Sequence, residues 1–122
     1  MHEMVPRHAL IIEDEILIAL EVEALLREQG FTSVDVADNA REALDLALRR
    51  KPDLITADYR IIGGTGEDAV SAIMAHLGPI PVVYVTGNAS CLSSRATNTV
   101  VEKPVSPTRL ARACQMAIQT AA

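Results

Sequence analysis

The stretch His8-Ala9-Leu10-Ile11-Ile12-Glu13-Asp14-Glu15 decides how this sequence is read. After the histidine, four apolar residues run straight into three carboxylates with no turn residue between them. An uninterrupted apolar run of this length fits a strand covered on both faces, as in a parallel sheet. The acidic triplet then marks the carboxyl end of that strand. Downstream, Ile16, Leu17, Leu20, Ala24 and Leu25 follow helical spacing with glutamates between them, and Gly30 closes the helix over 16–29.

The alternation then repeats. Val34-Asp35-Val36-Ala37 is a short second strand, and Asn39 with Glu42 reads as a capping box that starts a helix reaching Arg50. Leu54-Ile55-Thr56-Ala57 is the third strand and ends at Asp58. A loop containing Gly63-Gly64-Thr65-Gly66 leads into a helix ending near His76. Val82-Val83-Tyr84-Val85 is the fourth strand, closed by Thr86-Gly87. Asn88 to Asn98 is polar with weak periodicity, so a fourth helix there is expected to be short, frayed or replaced by a loop. Thr99-Val100-Val101-Glu102 is the fifth strand, followed by Lys103-Pro104, and Ser106-Pro107 starts a last helix reaching about Thr120.

Strands alternating with helices predict an α/β fold, one doubly wound parallel sheet of five strands in the order 2-1-3-4-5. Ligands of such sheets bind beyond the carboxyl ends, where strands 1 and 3 diverge. Glu13-Asp14, Asp58, Thr86 and Lys103 all fall at strand ends there. Crowded carboxylates repel one another unless a cation intervenes. Hard oxygen ligands suit Mg²⁺ or Mn²⁺. A phosphoryl group would meet Lys103 and the Thr86 hydroxyl, and Asp58 has the chemistry to form an acyl phosphate. Taken singly, each residue has a plainer reading. Glu13, Asp14 and Glu15 suit an acidic first helical turn, and Asp58 suits an Asx turn.

Composition narrows the field. The 122 residues include no Trp, one Phe and two Tyr, so base stacking has few rings to use. A net charge of −5 disfavours a phosphate-backbone partner. The basic cluster Arg49-Arg50-Lys51 falls at a helix end, where it complements the dipole. Cys91 and Cys114 have no metal-binding spacing and read as buried or idle thiols. No apolar run approaches the roughly 20 residues of a membrane span, and no signal peptide precedes His8. A cytoplasmic protein with an apolar core, one domain over 1–122 with its core at about 8–120, is the expectation.

The set Glu13-Asp14, Asp58, Thr86 and Lys103-Pro104 resembles the signature of receiver domains, the response regulators of two-component signalling. The resemblance spans His8 to about Ile118 and implies the flavodoxin-like order already derived. It implies that Asp58 is the phosphoacceptor, with Asp14, Asp58, the Arg60 backbone carbonyl and Glu13 (directly or through water) around the cation. Thr86 and Lys103 would bind the phosphoryl group and read it out. A histidine kinase or histidine phosphotransfer protein would be the donor, and no nucleic acid or membrane would be bound.

Three features depart from the usual pattern. Val100 stands where an aromatic switch residue is common, Ile61-Ile62-Gly63-Gly64 replaces a proline-bearing loop, and the segment before the fifth strand is short and polar. Ala57-Asp58-Tyr59-Arg60 and Lys103-Pro104-Val105-Ser106-Pro107 are similar to receivers of hybrid histidine kinases. Pro81-Val82-Val83-Tyr84-Val85-Thr86-Gly87 is similar to the FATGUY subgroup.

Three competing functions are weighed. A receiver-like module that signals without phosphorylation has no need of the full acidic set. A haloacid-dehalogenase type of enzyme needs an Asp two residues after the nucleophile, and Arg60 stands there. A flavodoxin-type cofactor binder would place phosphate against Glu13-Asp14-Glu15. The chain is therefore expected not to be an enzyme beyond acting on its own aspartate.

Overall fold

The structure, a computed structural model, describes residues 7–87 and 99–121. The short or irregular fourth helix expected within 88–98, and Cys91 with it, lie outside the described residues. Strands β1 (His8–Ile12), β2 (Ser33–Ala37), β3 (Leu54–Ala57), β6 (Val82–Thr86) and β7 (Val100–Glu102) form one parallel sheet. Their order is β2-β1-β3-β6-β7. Two further strands, β4 (Arg60–Ile61) and β5 (Gly64–Thr65), make a small antiparallel ladder after β3. With that ladder set aside, the order is the 2-1-3-4-5 expected from the alternation.

β1 is buried along its whole length because β2 and β3 flank it and helices cover both faces. Ala9 and Ile11 join Leu54, Val83, Val85 and Val101 on one face, under α1 (Ile16–Glu28) and α4 (Pro107–Ala121). Leu10 and Ile12 join Ile55, Ala57 and Tyr84 on the other, under α2 (Ala40–Arg49) and α3 (Gly66–Leu77). Side chains such as Leu26 and Ile73, fully buried, each contribute about 1.5–3 kcal/mol relative to exposure. Alanines at 43, 47, 113 and 117 let the helices lie close to the sheet. Cys114 is buried in the α4 face, and burial pushes its thiol up to about 12, which fits the expectation of an idle thiol.

The helix starts follow their capping residues. Asn39 accepts the Glu42 backbone N–H at 2.8 Å, Thr65 accepts that of Asp68 at 3.1 Å, and Ser106 that of Arg109 at 3.3 Å. The Glu42 carboxylate returns to the Asp38 N–H at 3.2 Å, one residue earlier than a capping box requires. At the amino end of the sheet the His8 ring bridges Ser33 Oγ (2.8 Å) and Asp35 Oδ2 (2.9 Å) on β2. The His8 backbone N–H donates to Asp53 Oδ2 at 2.8 Å, so this buried histidine is satisfied on every side.

α1 departs from the sequence reading in one respect. The apolar residues whose spacing marks the helix are mostly not those it buries. Ala19, Val22 and Leu26 face the sheet, while Ile16, Leu17 and Leu20 are 65%, 77% and 54% exposed. Ala24 is exposed too, and Leu25 is half-buried. The helix is apolar on two sides, and only one of them meets the core.

Candidate functional site

Each strand of a parallel sheet releases its next residue at the same end, and here the ladders continue one step beyond the strands. Glu13 donates its N–H to the Ala37 carbonyl at 2.8 Å, and Asp58 donates to Ile12 at 3.0 Å. Lys103 donates to Thr86 at 3.1 Å. These bonds fix the backbones from which the site side chains project. Glu13, Asp14 and Glu15 precede α1, which begins at Ile16 and has no acidic residue in its first turn. The triplet thus lies before the first turn of α1, not within it.

The carboxylates of Glu13, Asp14, Glu15 and Asp58 offer oxygens that all lie within 4.8 Å of one another. Glu13 and Asp58 are buried, and Asp14 and Glu15 are exposed. Lys103 Nζ reaches all but Asp14 of this set: 2.9 Å to Asp58 Oδ2, 3.1 Å to Glu13 Oε1 and 3.6 Å to Glu15 Oε1. Burial pushes Glu13 up to about 7, Asp58's negative charge adds to this, and the Lys103 and Glu15 N–H hydrogen bonds partly offset it. Burial on its own would lower the Lys103 ammonium, but hydrogen bonds to Asp58 and Glu13 outweigh it and hold Lys103 above the ordinary lysine range.

Four carboxylates thus face one ammonium. The surplus is negative, the donors are hard oxygens, and the set fits a small divalent cation such as Mg²⁺. Glu13, Asp14, Glu15 and Asp58 are the carboxylates that could hold it.

Of the residues singled out in the sequence, Glu13, Asp14, Asp58 and Lys103 come together in this way. Thr86 is fully buried at the end of β6, the strand beside β3. Arg60 opens β4, two residues past Asp58, with its side chain exposed. Sequence reasoning missed two participants. Glu15 was visible only as part of an acidic run. Gly66 packs its backbone against that of Asp58, and its N–H donates to the Tyr59 carbonyl at 2.7 Å. Nothing in the run Gly63-Gly64-Thr65-Gly66 distinguishes that glycine from its neighbours.

The geometry makes Lys103 a competitor of any cation at this site. Lys103→Ala is expected to bind Mg²⁺ more tightly than the wild type by roughly tenfold or more, since removing a unit charge this close is worth more than about 1.4 kcal/mol at an effective dielectric of about 20. Titration calorimetry checks this, and an equal or weaker affinity contradicts it.

The family model for the response regulator receiver domain matches residues 9–115. Transcriptional regulatory protein PdtaR of Mycobacterium tuberculosis is 41% identical over 80 residues, which is 65% of this chain and 39% of that protein. Phyllosphere-induced regulator PhyR of Methylorubrum extorquens is 40% identical over 79 residues, 63% of this chain and 29% of that one. The chain therefore spans well under half the length of these curated relatives. Among solved structures, the REC domain of Erythrobacter litoralis PhyR superposes with a TM-score of 0.83 at 27% identity, covering 95% of this chain and 92% of that one. PhyR from Brucella abortus gives 0.82 at 30% identity, over 97% of this chain and 50% of that one. With the sheet order and the acidic cluster already in place, the match over most of its length makes this chain a member of the response regulator receiver domain family.

Proposed function

We propose that residues 1–122 form one receiver domain, with its core at about 8–120, that takes a phosphoryl group from phosphohistidine onto Asp58. The donor is a histidine kinase or a histidine phosphotransfer protein. The observation that carries this reading is the placement of a buried Asp58 between the acidic cluster and the Lys103 ammonium. In the transfer, an Asp58 carboxylate oxygen forms a bond to phosphorus as the bond from phosphorus to the donor's imidazole nitrogen breaks, and the imidazole takes up a proton.

Glu13, Asp14, Asp58 and the Arg60 carbonyl would hold Mg²⁺ or Mn²⁺, which would supply positive charge for the phosphoryl oxygens. Lys103 holds Asp58 at 2.9 Å and turns to pair with a phosphoryl oxygen. The Thr86 hydroxyl donates to another. The chain acts on its own carboxylate only, and hydrolysis of the acyl phosphate resets it.

Val100 is half-buried against the α2 and α3 core and carries no ring to rotate. The signal is therefore proposed to leave by a conformational change near residues 86–103. The exposed Ile16, Leu17 and Leu20 stand just past the acidic triplet, so a partner helix presenting phosphohistidine has an apolar face to rest on beside Asp58. Among the described residues no helix is long and apolar enough to cross a membrane, and the domain is proposed to act in the cytoplasm.

The reading is tested by intact mass after incubation with acetyl phosphate and Mg²⁺. Addition of one phosphoryl group is expected, and no addition at saturating Mg²⁺ contradicts it.

A further inference from the structure

Glu15 has no part in the signature that identifies this family, yet its carboxylate belongs to the site. It occupies the N-cap position of α1, where a side chain ordinarily bonds to the exposed helix N–H groups, and it makes no such bond. Instead its Oε1 lies 3.6 Å from Lys103 Nζ, while its backbone N–H holds Glu13 Oε2 at 3.2 Å. Of the carboxylates around Lys103, Glu13 and Asp58 are buried, and the Glu15 side chain is 62% exposed. Glu15 is thus the most solvent-exposed of the three.

We infer that Glu15 is a positioning residue that holds the Lys103 ammonium toward solvent and keeps a negative charge at the entrance, so that it slows capture of anionic phosphodonors. The inference rests on the phosphoacceptor reading of Asp58. Two physical effects act in the same direction. Lys103 must leave its carboxylate partners to meet a phosphoryl oxygen, and Glu15 competes for it. A fixed negative charge at the mouth of a site also lowers the encounter rate of an anionic donor, and salt screens that effect. Because Glu15 is exposed, its pair with Lys103 contributes little to the fold. Its influence falls on the rate.

The experiment compares initial rates of phosphorylation by acetyl phosphate, where the Asp58 oxygen–phosphorus bond forms as the phosphorus–oxygen bond to the acetyl group breaks and acetate leaves. Wild type, Glu15→Gln and Glu15→Asp are followed by intact mass, each at Mg²⁺ shown by calorimetry to be saturating. At low ionic strength Glu15→Gln is expected to react about three- to tenfold faster than wild type, falling below about twofold near 0.5 M salt, where the Debye length is only a few ångströms. Glu15→Asp keeps the charge at the entrance but withdraws it from Lys103, and its rate is expected to fall between those of wild type and Glu15→Gln. Mg²⁺ affinity of the Gln variant is expected to fall by less than about tenfold, since the exposed Glu15 charge is screened by water and Glu13, Asp14 and Asp58 remain to bind the ion.

Wild type that takes up no phosphoryl group overturns the phosphoacceptor reading, and this role with it. Wild type that is labelled, with a Gln variant equal or slower at low salt, overturns the role of Glu15 alone. A Gln variant that loses more than about tenfold in Mg²⁺ affinity assigns Glu15 to the cation instead and also overturns it.

Discussion

Asp58→Asn is expected to abolish phosphoryl uptake from acetyl phosphate while leaving the fold intact. The amide has nearly the shape of the carboxylate, so the packing around this buried position is kept. Its backbone N–H bond to the Ile12 carbonyl does not involve the side chain. What changes is the nucleophile. An amide oxygen carries no full charge, and the barrier to attack on phosphorus rises by more than about 4 kcal/mol, or roughly a thousandfold in rate. The variant also removes the charge that helps push Glu13 upward. Uptake that persists undiminished in this variant would place the acceptor elsewhere.

Gly66→Ala should be the most damaging single methyl group in the site region. A Cβ at Gly66 would overlap the Asp58 carbonyl oxygen and lie 2.9 Å from its carbonyl carbon. Both are backbone atoms that no rotamer change can move. Relief requires α3 to lift from β3, or the Asp58 backbone to shift away from Ile12. Overpacking of this kind costs about 3 kcal/mol, which in a domain of this size lowers the thermal midpoint by about 10 °C. Phosphoryl uptake should fall as well, because Asp58 is displaced. Gly64→Ala, two residues earlier, meets nothing within 4 Å and should change the midpoint by less than about 2 °C. A thermal scan of the two variants that finds them equal would contradict this reading of the loop.

The parts of the fold that could be read in the sequence depend on local patterns. The apolar run of β1 is buried on both faces, and the carboxylates follow it without interruption, so the strand end and the charge are one signal. Asn39 and Ser106 mark helix starts through hydrogen bonds to N–H groups three residues on. The strand order followed from the alternation and the handedness of crossovers. Convergence of Glu13, Asp14, Asp58 and Lys103 followed from that order, since parallel strands all end at one edge.

What the sequence did not reveal depends on contacts between distant residues. Hydrophobicity marks α1 as a helix but does not say which of its apolar sides meets the sheet. The answer is Ala19, Val22 and Leu26, which pack in one cluster with Ala9 and Ile11 of β1. The β4–β5 ladder is only two residues long on each side, too short to leave a periodic pattern. Gly66 differs from Gly64 only in what lies across from it. Glu15 differs from a helix-capping residue only in the direction its side chain takes, toward Lys103.

The central claim is that the phosphoryl group resides on Asp58. Reduction of the phosphorylated protein with borohydride converts an aspartyl phosphate to homoserine, which peptide mass spectrometry then places in the sequence. The account predicts homoserine at position 58 and nowhere else, in the Mg²⁺-dependent fraction of the protein. Homoserine at position 14, or a phosphorylated protein that yields none, would contradict it.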